Sequence, residues 1–208
     1  MLTRRALLAA SVVAPGVPRS DVLRFRLIRE GSKIGAHVLH FLPRPEGMRV
    51  TIAVDIAVRF GPFVLYRYRL RGSETWRNGR CVGAASRTED DGTPLFMRAE
   101  RDASGFWVTG THTPRYRAPP TALVASHWNQ AELRGPWINL ENGRLLHPHV
   151  TPLGVHPALL ADGAQVPARS YSITGPATMR LWYTLGGVWT GLLFTASDGS
   201  LVRYERVT

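Results

Sequence analysis

The sequence has a single cysteine, Cys81, so no intramolecular disulfide can form and the fold must rest on packing and backbone pairing. Cys81 is read as a small strand residue rather than a nucleophile. Lysine is almost absent: Lys33 is the only one, and every other basic residue is arginine. Acidic residues are also few, 15 against 26 basic ones, which leaves a net charge of +11. No apolar run reaches the ~20 residues that a permanent spanning helix needs. There is no C-x-x-C pair, no dinucleotide fingerprint, no phosphate loop and no G-x-S-x-G elbow. With no catalytic motif the chain is read as a non-enzyme, and no cofactor is expected.

What the chain does have begins at its N-terminus. Arg4 and Arg5 stand directly before an apolar, alanine-rich run, Ala6 to Ala14. That layout is the one of a twin-arginine export signal, and Ala14-Pro15-Gly16 offers small residues for cleavage. A signal peptide is therefore expected over 1–16 and a periplasmic, soluble product over 17–208. Export removes nucleic acid as a partner. The arginine excess leaves an anionic envelope surface as one expected partner.

From residue 21 onward the hydrophobic pattern has period two. Met48, Val50, Ile52, Val54, Ile56, Val58 and Phe60 share one face, and Arg49, Thr51, Ala53, Asp55, Ala57 and Arg59 share the other. Val64, Tyr66, Tyr68 and Leu70 repeat the alternation after Gly61-Pro62, so the two segments form a hairpin. Thirteen residues at ~3.3 Å each give a strand that must twist and curl to stay packed. Asn-Gly and Asp-Gly steps recur at 78–79, 91–92, 142–143, 162–163 and 198–199, where tight hairpin turns need positive φ. The expected fold is all-β: a strongly curved antiparallel sheet or open barrel, mostly up-and-down. One short helix is expected near 126–134, capped by Ser126 and ended by Gly135-Pro136. It divides a first meander, about 21–117, and a crossover, 118–136, from a second meander, 137–208.

Gly61-Pro62-Phe63-x-Leu65-Tyr66-Arg67-Tyr68, Glu74-x-Trp76, Asp90-Asp91-Gly92-Thr93, Ser126-x-Trp128-Asn129 and Leu181-Trp182-Tyr183 resemble an uncharacterised family of exported proteobacterial β-rich proteins. The likeness covers most of 21–206, and it is looser to a broader family of periplasmic β-domains of unknown function. It implies export and a β fold, and it carries no catalytic residue. The chain departs from that pattern at His127, where an aromatic is expected, and at Gln130, where proline is common.

His147 and His149 are two apart, with His156 nearby, but no patterned carboxylate accompanies them and Pro148 interrupts the strand, so no metal site is assigned. Glu89-Asp90-Asp91 is read as a solvated turn rather than a calcium site. Ser126-His127 is not a nucleophile–base pair, because sequence neighbours diverge in direction. The aromatic residues carry the functional reading. Tyr66 and Tyr68, with Trp128 and Leu133 on a helical lid, are expected to enclose an apolar cavity for a lipid or other amphiphile. The runner-up is an envelope interaction protein with a filled core and an arginine-rich face. An enzyme using His147 and His149 is a third, weaker reading.

Overall fold

The computed structural model describes residues 17, 18 and 20–208. The export signal expected over 1–16 lies outside the described residues. In chain order the strands are β1 (Val22–Arg29), β2 (Ser32–Arg44), β3 (Gly47–Phe60), β4 (Phe63–Arg77), β5 (Arg80–Asp90), β6 (Thr93–Asp102), β7 (Gly105–Gly110) and β8 (Thr113–Ala118). Three two-residue strands follow: β9 (Leu123–Val124), β10 (Trp137–Ile138) and β11 (Leu145–Leu146). The chain ends with β12 (His149–Leu159), β13 (Gln165–Thr174), β14 (Met179–Thr184), β15 (Trp189–Thr195) and β16 (Leu201–Val207).

Thirteen strands form one antiparallel sheet in the order β12-β13-β14-β15-β16-β1-β2-β3-β4-β5-β6-β7-β8. Each meander is up-and-down, and the C-terminal β16 joins them by pairing with the N-terminal β1, Arg26 opposite Glu205. The sheet does not close. Its edge strands, β8 and β12, carry Pro114 and Pro152 with Pro157. Proline has no N–H to donate, so it sits at sheet edges and blunts them against further pairing.

The expected faces are the observed ones. Val50, Ile52 and Val54 point inward with Leu39, Leu70 and Trp76, and Asp55 faces out, ion-paired to Arg71. Ile52→Ala should therefore cost about 2–5 kcal/mol in denaturant titration, and Asp55→Ala about 0.5 kcal/mol or less. Strands of 14 and 15 residues, β3 and β4, span most of the sheet's height.

Residues 119–148 lie inside the sheet's concavity. Trp128 stacks edge-on against Phe41 of β2 and Trp76 of β4. The Ser86 hydroxyl of β5 donates to the Leu140 carbonyl, and the Tyr116 hydroxyl of β8 donates to the Gly143 carbonyl at 2.9 Å. Gln130 donates to the Tyr171 hydroxyl of β13 at 2.8 Å. One segment thus touches strands from both meanders, and the sheet wraps around it. Small inward residues make the room: Ala84, Ser86 and Ala99 line this part of the wall. At Gly110 a Cβ would overlap the Asn142 carbonyl oxygen, so only glycine admits the segment there.

Two expectations are corrected. The helix is a single 3-10 turn, Gln130–Arg134, and its cap is Asn129, whose side chain accepts from the Ala131 N–H at 3.0 Å. Ser126 is buried instead, four residues before the turn. β11 ends at Leu146 and the long β12 begins at His149, with His147-Pro148 between them. β8 was not anticipated; its proline reads as a break in sequence and is tolerated because the strand is an edge.

Candidate functional site

The inner segment divides the interior into two cavities that open at opposite ends of the sheet. The first, about 620 Å³, lies toward the β3–β4 turn and is walled by Val54, Ile56, Val58, Leu192 and Phe194. Tyr66 and Tyr68 face it. The Tyr66 hydroxyl donates to Asp90 at 2.7 Å and the Tyr68 hydroxyl to Glu141 at 2.7 Å. Burial, reinforced by those carboxylates, holds both phenols well above their usual range, so they remain donors. The second cavity, about 1280 Å³, lies toward the β2–β3 and β4–β5 turns. Its wall is apolar, with Phe41, Met48, Trp76, Leu133 and Val150. Exposed Arg44, Arg134 and Arg169 stand around it against one carboxylate, Asp21.

The four residues expected to enclose one cavity are therefore divided between two. Tyr66 and Tyr68 line the smaller cavity, and Trp128 and Leu133 the larger. Trp128 does not cover a mouth. It is 1% exposed and lines the larger cavity, its indole N–H donating to Glu74 at 3.2 Å. Leu133, on the 3-10 turn, is half-buried at the larger cavity.

Sequence reasoning missed three buried polar residues that organise this interior. Glu74 points inward from β4 and accepts from the Trp76 indole at 2.7 Å as well as from Trp128. Burial holds its carboxyl above the usual glutamate range, partly offset by the Ser126, Trp76 and Trp128 donors. The signal was available: Glu74 and Trp76 are two apart, hence on one face, and that face is apolar. Glu132 is fully buried and accepts from His127 twice, from its backbone N–H at 2.9 Å and at its Nδ1 at 2.6 Å. These contacts hold His127 at φ 65°, an unusual conformation for a residue with a side chain. The His127 ring packs edge-on against Trp137 and Trp189, filling the place of the expected aromatic. His37, inward on β2, is buried between Trp189 and Tyr204 with no protein partner for either ring nitrogen. Burial, and the nearby His127, push its pKa down to about 3, so it is neutral.

Ser126 and His127 engage different carboxylates, Glu74 and Glu132. His147 and His149 are exposed, and His156 is fixed to the Leu153 carbonyl at 2.9 Å. Among the described residues no cluster of three or more His, Cys, Asp or Glu is placed to hold a metal ion. Cys81 is buried, and burial pushes its thiol up, away from nucleophile chemistry.

A family model described as a domain of unknown function (DUF6134) matches residues 25–207. No curated protein matches the chain. Among solved structures the chain is similar to a beta-barrel-like protein of domain of unknown function DUF1849 from Brucella abortus. The identity is 8%, 90% of this chain and 95% of that chain are covered, and the TM-score is 0.60. At that identity the likeness concerns the fold alone.

Proposed function

The chain belongs to the DUF6134 family, and we propose that it is an exported, non-enzymatic carrier or binding protein for an amphiphile of the cell envelope. The supporting observation is the larger cavity: apolar walls, an open end, and Arg44, Arg134 and Arg169 around it. An acyl chain would fill the apolar part, and an anionic headgroup would meet the guanidinium groups, which suit carboxylate or phosphate geometry. The export and periplasmic part of this reading is supported by Arg4-Arg5 standing before the apolar run Ala6 to Ala14.

The test is titration of the protein with a long-chain fatty acid by calorimetry at several temperatures. Micromolar binding with a negative heat-capacity change, the mark of apolar burial, is expected. Arg44→Gln and Arg134→Gln should each weaken binding roughly tenfold, the scale of a lost charge-assisted hydrogen bond, without moving the unfolding midpoint. Absence of binding at tens of micromolar would remove the carrier reading. The second reading, an envelope interaction protein, draws on the filled centre, where Trp128, Trp137, Ile138 and Leu140 are all buried. It would then take the carrier's place.

A further inference from the structure

The β3–β4 hairpin outruns both of its neighbours. β2 pairs with β3 only as far as Ile56, opposite Gly35, and β5 meets β4 only from Tyr68, opposite Asp90. β3 and β4 go on pairing with each other to Phe60 and Phe63. Residues 57–67 thus project as a two-stranded ribbon, about 13 Å beyond the neighbouring pairings at ~3.3 Å per residue. The tip is apolar and faces water: Phe60 is 74% exposed, Phe63 67% and Leu65 62%. Three large side chains left bare on one protrusion mark a surface that meets something apolar.

Charge narrows the partner. Between Asp55 and Glu74 the sequence has no acidic residue and four arginines, Arg59, Arg67, Arg69 and Arg71. Of these only Arg71 is ion-paired, with Asp55, among the described residues. The nearest carboxylates of the β5–β6 turn sit at the ribbon's root and fasten it. The Tyr66 hydroxyl donates to Asp90 at 2.7 Å, the Arg67 N–H donates to the Asp91 side chain at 3.3 Å, and the Asp91 N–H donates to the Arg67 carbonyl at 2.8 Å. The ribbon is therefore held upright with its apolar, acid-free tip outermost.

We infer that the ribbon is a membrane-docking element, setting Phe60, Phe63 and Leu65 into the interfacial layer of an anionic bilayer while Arg59 and Arg67 engage headgroup phosphates. Its reach matches the ~5–10 Å depth at which interfacial elements bury their apolar side chains. Its few side chains fall far short of the ~800 Å² per partner that a stable protein interface buries. The inference does not depend on what either cavity holds. Val58 and Tyr66 belong both to the ribbon and to the wall of the smaller cavity, so docking brings that cavity's mouth toward the lipid.

The test is co-sedimentation of the full chain with vesicles of phosphatidylglycerol and phosphatidylcholine, and with vesicles of phosphatidylcholine alone. Binding to the anionic vesicles, weakening as salt is added, is expected. Phe63→Ser should weaken it at least tenfold, following the loss of one buried aromatic ring. The combined variant with Phe60→Ser, Phe63→Ser and Leu65→Ser should not bind measurably. Arg59→Gln, a change at an exposed guanidinium, should weaken binding about fivefold. The N-terminal segment is common to every protein compared, so differences between them read the ribbon. Unfolding midpoints should be unchanged, because the altered side chains are exposed. Equal binding by the parent and the combined variant would overturn the inference, as would indifference to anionic lipid. A concentration-dependent dimer that the combined variant loses, with no vesicle binding, would overturn it too and assign the tip to a second copy of the chain.

Discussion

Trp128→Ala is expected to destabilise the protein by about 3–5 kcal/mol, the scale of deleting a fully buried tryptophan. The indole is 1% exposed and lies between Phe41 and Trp76, with ring centroids 5.3 and 5.2 Å away. Its loss opens a hole where the inner segment meets β2 and β4. It also takes a donor from Glu74, a carboxyl buried deep enough that each lost hydrogen bond is costly. Trp128→Phe keeps an aromatic ring but loses the N–H and part of the indole's volume, so a smaller cost, about 1–3 kcal/mol, is expected. Denaturant titrations followed by circular dichroism measure both. A cost below about 1 kcal/mol for the alanine variant is the result expected of a flap over a mouth, and it would place the inner segment outside the core.

His37→Phe is expected to flatten the acid limb of the stability curve. The imidazole is buried and neutral, with its pKa lowered from 6.5 to about 3. The unfolded chain therefore binds a proton that the folded chain refuses. Stability contributed by this group is present above about pH 6.5 and is lost progressively as the pH falls toward about 3. At ~1.36 kcal/mol per pKa unit, the loss over that window is on the order of 5 kcal/mol. Phenylalanine keeps the ring among Phe25, Trp189 and Tyr204 and removes the titration. Glu74 acts in the opposite sense. Its raised pKa makes the folded chain hold a proton longer, so its contribution falls as the pH rises above about 4.5. The measurement is chemical denaturation at a series of pH values, for parent and variant side by side. An acid limb of the same depth in both proteins would mean that His37 is not the group that refuses the proton.

Much of the sheet was legible because strand alternation is a local property. In β3, seven consecutive even-numbered residues are apolar, and that alone separates Ile52 from Asp55 and orients both neighbours in register. Gly61-Pro62 and the Asn-Gly and Asp-Gly steps place the hairpins for the same reason: the turn geometry they need is decided within four residues. Edge strands were read less well, since proline looks like an interruption until the strand is known to have a free side.

The site was divided differently from its sequence reading for a physical reason that no local pattern contains. Residues 119–148 have little periodicity, and their place inside the sheet follows from the curvature of thirteen strands and from the pairing of β16 with β1 across the whole chain. That placement separates Tyr66 and Tyr68 from Trp128 and Leu133, and it turns an expected lid into core. It also gives the inward Glu74 and the distant Glu132 their tryptophan and histidine donors. The sequence by itself determined most of the strands, their faces and most of their turns. Only the tertiary structure decided which of those faces meet across the interior, because that depends on contacts between residues far apart in the chain, set by how the sheet bends around the segment it encloses.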